Sequence, residues 1–109
     1  MRLPTRLEAT ALIRRVESEG GFATVLAKGE PDAGSLLIVV AERGAQARAY
    51  ERMPQLDGTR KWVLSKTEDS QDPQAFAAYL NRRSEQDGDL WIIELDVHQG
   101  ERFIDDLTY

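Results

Sequence analysis

Five consecutive aliphatic residues at positions 36–40, Leu-Leu-Ile-Val-Val, constrain the fold of this chain more than any other feature. Turn-forming residues precede the run at positions 31–34, and Glu42 and Gly44 follow it. So short an apolar segment between turn signals is typical of a strand that is covered on both faces. Burying each of these side chains contributes roughly 1.5–3 kcal/mol, so together they rival the ~5–15 kcal/mol net stability of a domain. The run is therefore predicted to form the centre of the core.

The length and composition are typical of one globular domain over residues 1–109. Hydrophobic residues make up 41% of the chain and charged residues 30%. No apolar run approaches the ~18 residues that a membrane span needs. Charged residues return soon after the start, at Arg6 and Glu8, which leaves no room for the apolar segment of a secretory signal. We expect a cytoplasmic protein that does not span a membrane.

The charge balance and the missing residue types exclude several classes of site. Nineteen acidic residues against 14 basic ones give a formal net charge of −5, which opposes non-specific attraction to nucleic-acid phosphates. The absence of cysteine excludes disulfides and thiolate zinc sites, and the single His98 excludes a multi-histidine metal cluster. We therefore expect no cofactor and no metal, and nucleic acid is a poor first guess for a partner.

Two amphipathic helices are predicted. The first begins at Thr5, where Thr5 and Glu8 match a capping box in which each side chain caps the backbone N–H of the other residue. Its apolar stripe ends before Gly20. The second helix begins after Asp72, an N-cap residue that is followed by proline at the first helical position, and its apolar face includes Phe76.

Apolar runs, strand-forming residue types, a period-two alternation at 45–52 and turn residues predict five strands, at residues 22–27, 36–40, 45–52, 60–65 and 90–95. The prediction also allows a short sixth strand at 101–104, and an acidic tail follows at 105–109. The first four strands are expected to form an antiparallel meander that begins with a hairpin. The predicted fold class is α+β, with a mainly antiparallel sheet of five or six strands in the order α-β-β-β-β-α-β. Both helices are expected on one face of the sheet, against Ala45, Ala47 and Ala49.

The opposite face of the third strand carries the pattern that most suggests a ligand. Gln46, Arg48, Tyr50 and Arg52 alternate along it, and Lys61 of the next strand is close enough to join them. An aromatic ring between guanidinium groups on a strand is typical of sites for single-stranded RNA or an anionic ligand. The alternative is a solvated outer face of an antiparallel sheet, which needs no ligand.

Two further patterns invite a chemical interpretation. The carboxylates Asp87, Asp89, Glu94 and Asp96 could hold a divalent cation or supply an acid–base pair, although turn and cap positions explain them as well. Residues 29–35 resemble the spacing of a phosphate-binding loop. The loop lysine is missing there, a strand follows instead of a helix, and acidic residues would repel phosphate. We predict no nucleotide site at residues 29–35.

These observations favour a non-enzymatic interaction module that binds an unknown protein partner, and they leave the question of enzymatic activity open. The alternatives are the anionic-ligand or RNA binder and a small enzyme that uses the four carboxylates. A homodimer is expected, because a small open sheet leaves strand edges that a two-fold contact can cover.

Three segments resemble a family that we recognise. They are Leu-Ile-Arg-Arg at 12–15, Gly-Glu-Pro-Asp-Ala-Gly at 29–34 and Asp-Leu-Trp-Ile-Ile-Glu at 89–94. The chain resembles, nearly end to end, a small uncharacterised alphaproteobacterial protein family that is designated only as a domain of unknown function. The resemblance implies a bacterial, cytoplasmic protein. It supplies no catalytic or binding residue, because the family has no established activity.

Overall fold

The aliphatic run lies at the centre of the sheet, as predicted. A computed structural model describes residues 3–105 and 107, so most of the predicted acidic tail lies outside the described residues. The helices are α1 (Thr5–Ser18), α2 (Pro73–Gln86) and α3 (Glu101–Asp105). The strands are β1 (Phe22–Ala27), β2 (Leu36–Glu42), β3 (Ala45–Pro54), β4 (Arg60–Thr67) and β5 (Trp91–Asp96). Residues 36–41 of β2 are all buried.

The strands form one sheet in the order β1-β5-β2-β3-β4. Strands β2, β3 and β4 form an antiparallel meander, which is three of the four strands that the sequence predicts for it. Strand β5 lies between β1 and β2, antiparallel to β1 and parallel to β2. The predicted hairpin of the first two strands is therefore wrong. Because the first three residues of β5, Trp91 to Ile93, are buried on both faces, it takes an inner position, whereas the more exposed β1 takes the edge.

The connection from β1 to β2 crosses the start of β5 at close range. The Glu30 N–H donates to the Asp89 carbonyl at 3.2 Å, and the Trp91 indole N–H donates to the Glu30 carbonyl at 2.8 Å. A Cβ atom at Gly29 or Gly34 would collide with the Asp89 carbonyl oxygen. The two glycines with the spacing of a phosphate loop are thus required by backbone packing.

Alternate residues of β2 belong to two cores on opposite faces of the sheet. Ile38 and Val40 pack with α1 and α3, whereas Leu37 and Val39 pack with α2. The prediction that both helices lie on one face is wrong, because a strand that is apolar on both faces needs cover on both. Of the helices that the structure describes, α2 alone lies on the predicted alanine face. There Ala47 and Ala49 are buried, while Ala45 is exposed at the turn.

The residues after β5 form helix α3 and not the predicted short strand. Phe103 and Ile104 are neighbours in sequence, and both are buried in the core that α1 covers. A strand would direct them to opposite faces, whereas a helical turn lets both contact the same core. The α+β class and the mainly antiparallel sheet are confirmed. Among the described residues, none of the helices has the length and apolar character needed to cross a membrane.

Candidate functional site

The predicted ligand-binding residues of β3 face helices α1 and α3. Arg48 lies opposite Val40 in the sheet and Tyr50 lies opposite Ile38, so both stand on the face of the larger core. Arg48 and Tyr50 are half-buried. This face is therefore partly covered by helices and is not the solvated outer face that the sequence offered as the alternative.

Glu101, the first residue of α3, binds both Arg48 and Tyr50. The Arg48 Nε–H donates to Glu101 Oε2 at 2.6 Å, and the Tyr50 hydroxyl donates to the same oxygen at 2.8 Å. Burial alone would raise the pKa of Glu101, but the hydrogen bonds from Arg48 and Tyr50 outweigh it and lower the pKa. Burial, aided by the Glu101 contact, raises the pKa of Tyr50. Glu101 thus stays ionised and neutralises Arg48.

Arg52 forms a buried ion pair with Glu8 of α1. Arg52 Nη2 lies 3.0 Å from the Glu8 carboxylate, and the two side chains are 5% and 0% exposed. The guanidinium carbon lies 5.0 Å from the centroid of the Trp62 ring. The predicted capping box is wrong, because Glu8 binds Arg52 and the Thr5 hydroxyl donates to the Gly34 carbonyl at 2.7 Å.

Gln46 and Lys61 stand apart from these ion pairs. The exposed Gln46 contributes its carbonyl, which accepts from Arg48 Nη1 at 2.6 Å. Lys61 lies opposite Met53, so its side chain points to the face away from Arg52. Binding of an anionic ligand or RNA by these residues stays a prediction. Such a ligand would have to displace two glutamates from the guanidinium groups.

The four carboxylates of the alternative enzyme hypothesis are divided between the two ends of β5. Before the strand, Asp87 Oδ1 accepts from the Asp89 backbone N–H at 3.0 Å. At the far end, Asp96 accepts from two backbone N–H groups of the β2–β3 turn at 2.7 and 2.9 Å. Burial, and then the charges of Asp96 and Glu68, raise the pKa of Glu94. The described residues contain no group of three or more histidine or acidic side chains that could hold a metal ion.

Strand β1 lies at an edge of the sheet and exposes three large apolar side chains. Phe22 is 74% exposed, Leu26 47% and Val25 40%. β5 pairs with one side of β1, and no other described strand pairs with its outer side. The strand, Phe-Ala-Thr-Val-Leu-Ala, contains no charged residue. We call this strand, with its exposed Phe22, Val25 and Leu26, the β1 edge.

The opposite edge of the sheet is protected in the usual way. Strand β4 carries Arg60, Lys61 and Lys66 within its eight residues. Charged residues, and lysine above all, keep edge strands from pairing with other chains. The β1 edge has no such charge, and its one irregularity is a bulge in the pairing with β5 between Val25 and Ala27. The two edges therefore differ in their readiness to accept another strand.

Grooves flank the β1 edge on both faces of the sheet. On the α1 side, a groove of about 460 Å³ is lined by residues that include Ile13, Val25 and Trp91. On the α2 side, a groove of about 260 Å³ is lined by residues that include Leu26 and Leu80. Successive side chains of an added strand point alternately to the two faces. The side chains of a strand that pairs with the β1 edge would therefore stand alternately on the side of one groove and on the side of the other.

Sequence reasoning missed Glu8, Glu101 and the β1 edge. A signal for Glu8 exists, since it precedes Leu12 and Val16 at intervals of four and therefore lies on the buried face of α1. For the β1 edge, the signal is a run of six residues without charge in a segment whose aromatic, β-branched and small residues predict a strand. Glu101 has no comparable signal, because residues 101–104 are compatible with either a strand or a helix.

Comparison with known proteins agrees with the fold. A family profile described as "Protein of unknown function (DUF1491)" matches residues 3–105. A crystal structure of a DUF1491 family protein from Caulobacter crescentus CB15 is 35% identical, with a TM-score of 0.77 and 94% of each chain covered. An NMR structure of a DUF1491 family protein from the same organism is 34% identical, with a TM-score of 0.78 over 94% of this chain and 93% of that one.

A solution structure of an A. tumefaciens protein is 30% identical, with a TM-score of 0.71 over 91% of this chain and 89% of the other. None of the curated proteins compared with the chain matches it. Caulobacter and Agrobacterium are both alphaproteobacteria, so the resemblance drawn from the sequence is confirmed. The matches name no activity. The chain therefore belongs to the DUF1491 family of proteins of unknown function.

Proposed function

We propose that the chain is a small cytoplasmic interaction module without catalytic activity, and that it binds a protein strand along the β1 edge. One observation carries the proposal: an uncharged edge strand exposes three large apolar side chains between two grooves. The outward N–H and C=O groups of such a strand are a template for pairing. Strand addition of this kind is a recurring mode of peptide recognition, in which pockets for alternate side chains supply the specificity.

The other two hypotheses have less support from the geometry. An enzyme that uses the four carboxylates needs them to converge, and they lie at opposite ends of β5. A binder of RNA or another anionic ligand needs available cations, and the guanidinium groups of Arg48 and Arg52 are paired with Glu101 and Glu8. The interaction module needs only what the β1 edge offers.

Photo-crosslinking in cells tests the proposal. We would place benzoylphenylalanine at position 22 and, as a matched control, at position 56, where Leu56 is fully exposed in the β3–β4 turn. The host is Caulobacter crescentus, a source of solved family members. Irradiation should give protein adducts at position 22 and none at position 56. Adducts that are absent at position 22, or equally strong at both positions, would contradict the proposal.

A further inference from the structure

Building on the proposed function, we infer that the partner of the β1 edge is a second copy of this chain. The two copies of β1 pair antiparallel about a two-fold axis at Thr24. The two five-stranded sheets then join into one continuous sheet of ten strands. The inference rests on apolar complementarity, on the charges at the two ends of β1, and on the contrast between the two edges of the sheet.

Side-chain direction selects Thr24 as the axis residue. When a two-fold axis perpendicular to the sheet relates two paired strands, each residue lies opposite a residue of the other copy that is equally far from the axis residue in the other direction along the sequence. The side chains of such a pair point to the same face of the sheet. Phe22 lies opposite Asp96 in the sheet and Thr24 lies opposite Glu94, so both point to the α2 side. The bulge residue Leu26 lines the groove on that side as well.

An axis at Thr24 therefore brings Phe22 of each copy against Leu26 of the other. The contact is made twice, and it covers the two most exposed of the large apolar side chains of the β1 edge. On the α1 side, Val25 of each copy lies opposite Ala23 of the other. The two threonines face each other at the axis, a favourable cross-strand pair.

The charges at the two ends of β1 favour the antiparallel arrangement. Glu17 and Glu19 precede the strand, and Lys28 follows it. With the axis at Thr24, Lys28 of one copy lies just beyond the Phe22 end of the other copy's strand, on the side of the turn that carries Glu19. The Glu19 side chain is 39% exposed, and its Oε1 also forms an ion pair with Arg102 Nη1 at 2.5 Å. A parallel pairing would instead set Lys28 beside Lys28.

The charged β4 edge explains why the assembly stops at two copies. Pairing β1 of one copy with β4 of the next would be a head-to-tail contact, which propagates into an open fibre. Arg60, Lys61 and Lys66 on β4 oppose that contact. Pairing β1 with β1 uses up both uncharged edges, so the dimer is closed.

Cysteine scanning tests the inference in the purified protein. The chain has no cysteine, so a single introduced cysteine can be linked only to the same position of a second copy. A disulfide needs Cα atoms about 4.4–6.8 Å apart, and each residue away from the axis adds roughly 7 Å between equivalent positions. Of the variants with cysteine at positions 22–26, Thr24→Cys should therefore be linked fastest on mild oxidation.

The double variant Phe22→Cys/Leu26→Cys should also be linked, because those positions face each other across the axis. Val63→Cys on β4 is the matched control and should stay unlinked. Equal linkage along residues 22–26, or linkage at position 63 as fast as at position 24, would overturn the inference.

Sedimentation of the purified protein gives the second readout. At micromolar concentration the wild type should sediment as a species of twice 12.3 kDa. Thr24→Lys sets two lysines face to face at the axis and should abolish that species, while Val63→Lys should leave it intact. Far-UV circular dichroism confirms that both variants are folded. A wild type that sediments only at 12.3 kDa overturns the inference.

The two experiments separate the inference from the proposed function. If the adducts formed at position 22 in cells link this chain to a different protein, and the purified chain is a monomer, the second copy is overturned as the partner and the interaction module is supported. A complete lack of adducts, together with a monomeric chain, overturns both. Adducts that consist of two copies of this chain support both.

Discussion

The ion pair between Glu8 and Arg52 allows a quantitative test of the packing of α1 on the sheet. The two side chains are 0% and 5% exposed. Removing one partner of such a pair leaves a buried charge without compensation, which typically costs about 3–5 kcal/mol. The stability lost in Glu8→Leu should lie near the lower end of this range, because Arg52 keeps its contact with the Trp62 ring. The stability lost in Arg52→Met should lie near the upper end, because the substitution leaves a carboxylate in an apolar environment.

The double variant Glu8→Leu/Arg52→Met removes both charges at once. Replacing a buried ion pair by apolar side chains of similar volume is often neutral or stabilising, so the double variant should lose no more than about 1 kcal/mol. Since each single variant loses at least about 3 kcal/mol, the coupling free energy of the double-mutant cycle should then be about 5 kcal/mol or more. Each single variant should melt roughly 12–40 °C below the wild type, since 1 kcal/mol corresponds to roughly 4–8 °C in a domain of this size.

Urea unfolding followed by far-UV circular dichroism measures the free energy of unfolding of all four proteins. Arg6→Met is the matched control, because Arg6 pairs with Asp32 at 2.6 Å where the side chains are 53% and 72% exposed. An exposed pair contributes at most about 1 kcal/mol, so the control should change little. If the two single losses simply add in the double variant, the reasoning about the buried pair is refuted.

Four further predictions concern the core, two carboxylates and the strand face. Ile38→Ala should cost about 2–5 kcal/mol in urea unfolding, and a loss below ~1 kcal/mol would contradict its central position. Glu94→Gln should stabilise the protein at pH 7 by about 0.5 kcal/mol or more. Its raised pKa means that the ionised form is disfavoured by folding, so the gain should vanish as the pH falls below 4.5. Glu101→Gln should lower the free energy of unfolding at pH 7. Because the pKa of Glu101 is lowered in the folded protein, the difference in stability from the wild type should shrink as the pH falls below 4.5. A difference that persists at low pH would point to lost packing. A thermal-shift screen with nucleotides and short RNAs should give no rise in the melting temperature. An increase in the melting temperature of roughly 10 °C at saturating ligand, lost in the Arg48→Ala variant, would instead establish that the protein binds an anionic ligand.

Local patterns were sufficient to predict most helices and strands but not their neighbours in the sheet. The run at 36–40 and the Asp72–Pro73 start of α2 are local signals, and both elements form where predicted. The position of β5 between β1 and β2 depends on how two apolar strands compete for the interior, which spacing along the chain does not encode. Since β5 separates β1 from β2, the same misjudgement produced the false hairpin.

The candidate site was predictable to a smaller degree. The alternation from Arg48 to Arg52 correctly placed both cations on one face of β3. Their partners come from α1 and α3, at opposite ends of the chain, so no local pattern could connect them. The β1 edge escaped prediction for a similar reason, because a strand becomes an edge only through the arrangement of all the others.

The inner position of β5 also determines when this protein can fold during its synthesis. β1 and β2 pair with β5 through residues that lie more than half the chain away. Ribosomes add roughly 5–20 residues per second, so β1 waits for several seconds without a neighbouring strand. Contacts between distant residues also slow folding itself. Before residue 91 is made, the described strands that can pair as in the native sheet are β2, β3 and β4. The apolar β1 stays unpaired over that time, and exposed strands of this kind make a chain prone to aggregation.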